Sequence, residues 1–209
     1  MNMNMRRIIA ALFICICFAA SAVGTKALSA ESILAGLRSN ITSAPSVDAV
    51  FTINTDKGPL HGSVILAGDK YLLSTPELEV WYDGKTQWTL SHSAKEVNIT
   101  TPDVNERMAS NPFAILTAGK EYYTARRLAD SKGNRVVKLT PTDKTSAIGS
   151  FTIYVKPADK WPSAICVDFE DGRRIDITIN SISAGKARQA STFMYNQSRY
   201  SNFEIIDLR

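Results

Sequence analysis

The groups able to do chemistry are few in this chain, and they do not cluster. Its only histidines, His61 and His92, fall on separate strand-like stretches without metal-ligand spacing, so surface placement explains both. Of three cysteines, Cys15 and Cys17 sit in an N-terminal apolar run, leaving Cys166 between Ile165 and Val167. One cysteine can neither close an internal disulfide nor supply a structural zinc site of about four ligands; a small core residue is the simpler reading. No Gly-x-Ser-x-Gly elbow is present, and Cys166 has no histidine near it in sequence. Glu77 and Glu79, two apart on one strand, hint at a carboxylate pair, but a solvated strand face accounts for them. Glu170 and Asp171 belong to a turn. Arg126-Arg127 and Arg173-Arg174 are short basic pairs without interleaved aromatics. Their default is a solvated face, with an anionic head-group contact as the outside alternative. The chain is therefore expected to be no enzyme and to need no cofactor or metal.

The elements that would position any site begin after residue 27. Met1–Arg7 is short and basic, Ile8–Ala20 is apolar, and small residues follow. That order predicts a secretory signal over residues 1–27, cleaved after Ala22 or Ala27, since the apolar run is shorter than the roughly 20 residues of a spanning helix. An uncleaved anchor is the alternative. Of 24 basic residues, removing Arg6, Arg7 and Lys26 leaves 21 against 20 acidic ones, an almost neutral exported chain. No basic footprint for nucleic acid remains, and one domain over residues 28–209 is expected.

Ser29–Asn40 reads as a helix, with Ile33, Leu34, Leu37 and Ile41 on one face, Ser29 as cap and Glu31 in the first turn. Ser43-Ala-Pro45 stops it. Beyond it the pattern has period two. Phe51, Ile53 and Thr55 oppose Val50, Thr52 and Asn54, and Ile175, Ile177 and Ile179 oppose Arg174, Asp176 and Thr178. Such alternation marks antiparallel strands wet on one side. Hairpin turns are expected at Asp56-Lys57-Gly58, Gly68-Asp69, Asp83-Gly84, Lys132-Gly133-Asn134 and Asp171-Gly172. Spacings near ten residues suggest a long meander, closed or nearly so. Pro102–Gly119 interrupts it: Asn111-Pro112 opens a short apolar helix, Phe113-Ala114-Ile115-Leu116, that Gly119 closes.

Three features together resemble the LolA-type lipoprotein carriers: Val80-Trp81-Tyr82-Asp83-Gly84-Lys85-Thr86-Gln87-Trp88, similar to that family's DGK-T-x-W hairpin; the amphipathic helix just after the signal; and Asn111-Pro112-Phe113-Ala114-Ile115-Leu116, similar to its internal PF-x-L helix. The strands Phe151–Val155 and Ile175–Ile177 follow in the same order. The resemblance spans nearly all of the chain after residue 27. It implies a mainly β (α+β) fold: a single incomplete antiparallel β-barrel, a strongly curved sheet, with the N-terminal and internal helices forming a lid over an apolar cavity. It also implies a monomeric periplasmic carrier that shields acyl chains of lipoproteins or another lipid. An inner-membrane lipoprotein transporter would load it and an outer-membrane receptor would unload it.

On that basis the cavity is expected to be lined by Phe51, Ile53, Leu72, Trp88 and Leu90, with Val97, Ile99, Phe113, Leu116, Ile175 and Ile177. For Trp88, Leu90, Val97 and Ile99 an ordinary packed core is the alternative, and for Phe113, Ile115 and Leu116 a plug in place of a lid. Trp81 and Tyr82 face opposite sides, which predicts at least one of them outside or at the rim. Where the family usually carries an arginine before proline, Gly68 stands here, and Lys70 could supply a nearby charge. A non-carrier sensor or binding module with a filled core is the rival reading, and a hydrolase with an unrecognised site a third.

Overall fold

The computed structural model describes residues 28–209; the expected signal, residues 1–27, lies outside them. Helix α1 (Ala30–Ser43) starts where Ser29 Oγ accepts from the Ser32 amide at 3.2 Å. It buries Ile33, Leu34, Leu37 and Ile41, each worth about 2 kcal/mol of hydrophobic stabilisation. Pro45 ends it, and β1 (Ser46–Thr55) begins one residue later.

The chain then meanders through β2 (Gly58–Ala67), β3 (Lys70–Ser74), β4 (Leu78–Tyr82), β5 (Gln87–Ser91) and β6 (Glu96–Thr100). A lid segment follows, made of helix α2 (Val104–Ser110) and a 3-10 turn, Pro112–Leu116. A second meander runs through β7 (Tyr123–Ser131), β8 (Asn134–Pro141), β9 (Ile148–Val155), β10 (Pro162–Phe169) and β11 (Arg174–Gly185). A tail crosses back to β12 (Glu204–Asp207). All twelve strands form one curved sheet in the order β12-β6-β5-β4-β3-β2-β1-β11-β10-β9-β8-β7. Its ends, β12 and β7, do not pair, so the barrel stays open. Every pairing is antiparallel except that of β12, which lies parallel to β6.

The concave face holds the main core. Val47, Ala49, Phe51 and Ile53 of β1 face Leu66, Val64, Gly62 and Leu60 of β2 in register. On the other side, β11 shifts register between Ile179 and Ser181, so Ile182 and Ala184 as well as Ile175, Ile177 and Ile179 turn inward. A bulge exchanges faces in this way at the cost of one unpaired residue. Helix α1 packs over β7 and β8 on this concave side, and the lid closes the remainder.

The convex face carries the largest departure from the sequence reading. Register places Leu72, Trp81, Trp88 and Ile99 on that side, with Leu90 and Val97 beside them. These residues do not face the interior. They sit under the tail, where Tyr195 and Tyr200 stack 5.7 Å apart and both meet the Trp81 ring edge-on. Trp81 and Tyr82 do point to opposite faces, yet each is only 5% exposed, because the tail buries the outer one.

Candidate functional site

An open groove of about 250 Å³ lies on the concave side, between the outer ends of β1, β2 and β11, the β3–β4 turn and the lid. Phe51, Ile53, Ile175 and Ile177 form its floor, Leu60, Leu73 and Leu78 its flank, and Pro112 and Phe113 its cover. The rings of Phe51 and Phe113 meet at 5.1 Å. A Cβ at position 62 would collide with the Phe51 ring, so Gly62 is what lets that ring lie flat across β2. The polar groups in the lining are Thr75, Glu77 and Ser110, with Glu77 as the sole charge.

At roughly 30 Å³ per water, the groove holds about eight waters, or a similar number of methylenes. Burying that length of hydrocarbon is worth roughly 6 kcal/mol at about 0.8 kcal/mol per methylene. The groove therefore has room for only a short length of hydrocarbon.

Capping starts the lid: Asp103 Oδ1 accepts from the Glu106 amide while Glu106 Oε2 accepts from the Asp103 amide, both at 2.9 Å. Asn111 then joins the two lid turns. Its backbone amide donates to Arg107 O at 2.8 Å, and its Oδ1 accepts from the Phe113 amide at 3.0 Å. Inside, Met108, Phe113, Ile115 and Leu116 are buried. At the rim the ties are polar. Ser110 Oγ donates to Gln87 Oε1 at 3.1 Å, Tyr71 Oη donates to the same oxygen at 2.5 Å, and Asn105 Nδ2 donates to Asp143 Oδ2 at 2.7 Å. Arg38 of α1 donates to Ala118 O at 2.6 Å and to Tyr123 Oη. Burial pushes the Tyr71 phenol up to about 12, with the Ser110 hydrogen bond and the Arg107 charge pulling the other way. An apolar underside held by a few exchangeable hydrogen bonds is what a movable cover needs.

Of the residues expected to line a cavity, Phe51, Ile53, Phe113, Ile175 and Ile177 converge on this groove. Leu116 does not: it is buried in the main core and is not among the residues lining the groove. Leu72, Trp88, Leu90, Val97 and Ile99 belong to the convex side and form no part of it. Their strands turn Gln87, Thr89, Asn98 and Thr100 inward instead. Sequence reasoning missed Leu60, Leu73, Leu78 and Glu77, although Leu73 and Leu78 alternate in phase with buried neighbours. It also missed α2, whose signal is the Asp103-x-x-Glu106 spacing.

At the Gly68-Asp69-Lys70 hairpin, Asp69 and the lid's Arg107 share the lining of a 140 Å³ cavity that Lys70 does not line. Arg107 lies 5.0 Å above the Tyr82 ring. Glu77 and Glu79 part company, Glu77 at the groove and Glu79 on the convex face, 2.8 Å from Tyr200 Oη and 3.3 Å from His92 Nε2. Cys166 is buried opposite Asp176, and burial followed by the Asp176 hydrogen bond and charge pushes its thiol up to about 11. Among the described residues no group of three His, Cys, Asp or Glu is placed to hold a metal ion.

A family model for outer membrane lipoprotein carrier protein LolA matches residues 19–170. No curated protein matches the sequence. Among solved structures, a conserved protein from Thermus thermophilus shares the fold at TM-score 0.56 and 11% identity, covering 85% of this chain and 98% of that one. A LolA superfamily protein from Nitrosomonas europaea aligns at TM-score 0.46 and 12% identity, over 81% of this chain and 99% of that one. The MucA/MucB complex of Pseudomonas aeruginosa aligns at TM-score 0.41 and 12% identity, over 85% and 63%.

Proposed function

The chain belongs to the LolA outer-membrane lipoprotein carrier family, and on that footing we propose that it is a periplasmic carrier sheltering acyl chains of lipoproteins, or of another lipid, in the concave groove. Residues 28–209 are the working domain, and residues 1–27 are the export signal that precedes it. The observation carrying this reading is the apolar groove that Phe51 helps to floor and Phe113 helps to cover, open to solvent at its side. Acyl chains cannot cross water unassisted, because each exposed methylene costs about 0.8 kcal/mol. A curved sheet with a removable roof replaces that water. The rival, a sensor or binding module with a filled interior, is disfavoured by the vacancy, though the groove is short of one full lipoprotein chain. Opening of the lid around Phe113 supplies the remainder.

Uptake of a fluorescent long-chain acyl probe tests the proposal. Wild-type protein is expected to take up the probe and to yield it to an unlabelled acyl competitor. Ile53→Glu, half-buried at the groove, is expected to abolish uptake while leaving the circular dichroism spectrum intact. Equal uptake by Ile53→Glu and wild type, or none by either, would remove the groove from consideration. An inner-membrane transporter that loads the protein and an outer-membrane receptor that unloads it are part of the same proposal. The protein itself performs no chemistry in this scheme.

A further inference from the structure

The sheet's two ends are unlike. At one end β12 is four residues long and acidic, with Glu204 and Asp207. At the other, β7 offers a nine-residue edge that no other strand of the sheet covers. Between Tyr123 and Pro141, β7, its turn and β8 carry Arg126, Arg127, Lys132, Arg135 and Lys138 against Asp130 alone. That hairpin holds a net charge of +4, equal to the formal net charge of the entire chain. Arg127 pairs with Asp130, but Arg126, Lys132, Arg135 and Lys138 form no ion pair among the described residues. Arg126 and Lys138 even stand directly opposite each other in register on the convex face. Like charges so placed destabilise a sheet.

Charged side chains commonly blunt an edge against unwanted pairing. That purpose is served by either sign and gains nothing from a repulsive cross-strand pair. A second feature sits beside the edge. Leu34 and Ala35 of α1, with Tyr123 and Ala125 of β7, line a 300 Å³ slot whose polar members are Glu31, Arg38 and Lys120. Free backbone donors and acceptors, a pocket for alternate side chains and a single-sign charge are the parts of a strand-addition site.

We propose that the β7 edge docks an extended acidic segment of a partner protein as an added strand. Alternation fixes what such a segment must look like. Its inward side chains meet Tyr123 and Ala125 at the slot and are apolar. Its outward ones lie beside Arg126, within reach of Lys138, and are acidic. A second copy of this chain offering β12 is a poorer occupant: β12 is less than half as long as β7, and head-to-tail docking does not close. An anionic membrane would use the charge but neither the unpaired backbone nor the slot. The site lies at the opposite end of the sheet from β6 and apart from the groove, so cargo and partner can be held together.

The test uses the folded chain and a labelled peptide of alternating Val and Glu, about eight residues long, the usual strand scale. Binding is expected, with hydrogen exchange slowed at β7 amides and nowhere else on the sheet. It should fade as salt rises to about 0.5 M, where the screening length falls below roughly 5 Å. The double substitution Arg126→Glu with Lys138→Glu should weaken binding about tenfold or more, and an alternating Val and Lys peptide should not bind. Failure of the Val-Glu peptide to bind overturns the proposal. So does binding without protection of β7, capture of anionic vesicles in place of the peptide, or self-association of the chain that protects β7 by itself.

Discussion

Phe51 and Gly62 show how much of the groove depends on single residues. The ring lies across the bare backbone of Gly62, and any Cβ there meets it. Gly62→Val is therefore expected to destabilise the fold by about 1–3 kcal/mol, read from urea unfolding, and to lower acyl-probe affinity by tilting the floor. Full stability with unchanged affinity would show that the ring can move aside. Ionisation gives a second check at this scale. Burial raises Tyr71 to about 12, and burial with the Glu79 hydrogen bond raises Tyr200 to about 12, from an ordinary value of 10.0. Below pH 10 these phenols are protonated in both folded and unfolded chains, so their contribution is fully present. Between about 10 and 12 only the unfolded chain loses the protons, and stability must fall. Denaturation midpoints followed through that window should decline, while phenolate absorbance of the folded chain at these two tyrosines should rise only towards pH 12. A flat profile would place both phenols in solvent. The raised Cys166 thiol is likewise expected to alkylate far more slowly at pH 8 than a free cysteine.

At the scale of elements, local sequence signals made much of the fold legible. Ser29, the Ile33–Ile41 stripe and Pro45 bound α1, and the Gly and Asp pairs mark the hairpins, where Gly58, Gly68, Gly84, Gly133 and Gly172 all take positive φ. Asn111-Pro112 marks the 3-10 turn. Inward and outward faces were not legible where both are covered. In β5 and β6 the apolar rows Trp88–Leu90 and Val97–Ile99 look inward by composition, yet the tail makes the convex side their core. Tyr195, Tyr200 and Phe203 lie more than a hundred residues from Trp81, so no local period links them. Removing residues 186–209 is accordingly expected to expose Trp81 and the Leu90–Val97 pair. A red-shifted tryptophan emission and strong binding of an apolar dye would report it, and an unchanged spectrum would contradict the tail's role. The lid offers a finer test. Asp103→Ala removes one arm of the capping box, a loss of about 1 kcal/mol, and should speed hydrogen exchange over residues 104–118 more than in the strands. Uniform acceleration would mean that the lid does not open by itself.

For the whole molecule, the open sheet divides labour between its faces. Over β3 to β6 the convex side is closed by the chain's own tail, while the concave side keeps a vacancy beneath a cover tied by Ser110, Asn105 and Arg38. Isoleucines report both faces: Ile53, Ile175 and Ile177 floor the groove, and Ile99 lies on the convex side. Methyl NMR of isoleucine-labelled protein titrated with an acyl-chain lipid is the most direct measurement. The account predicts shifts and lipid contacts at Ile53, Ile175 and Ile177 and silence at Ile99. Shifts centred on Ile99, or no response from any of the four, would contradict it.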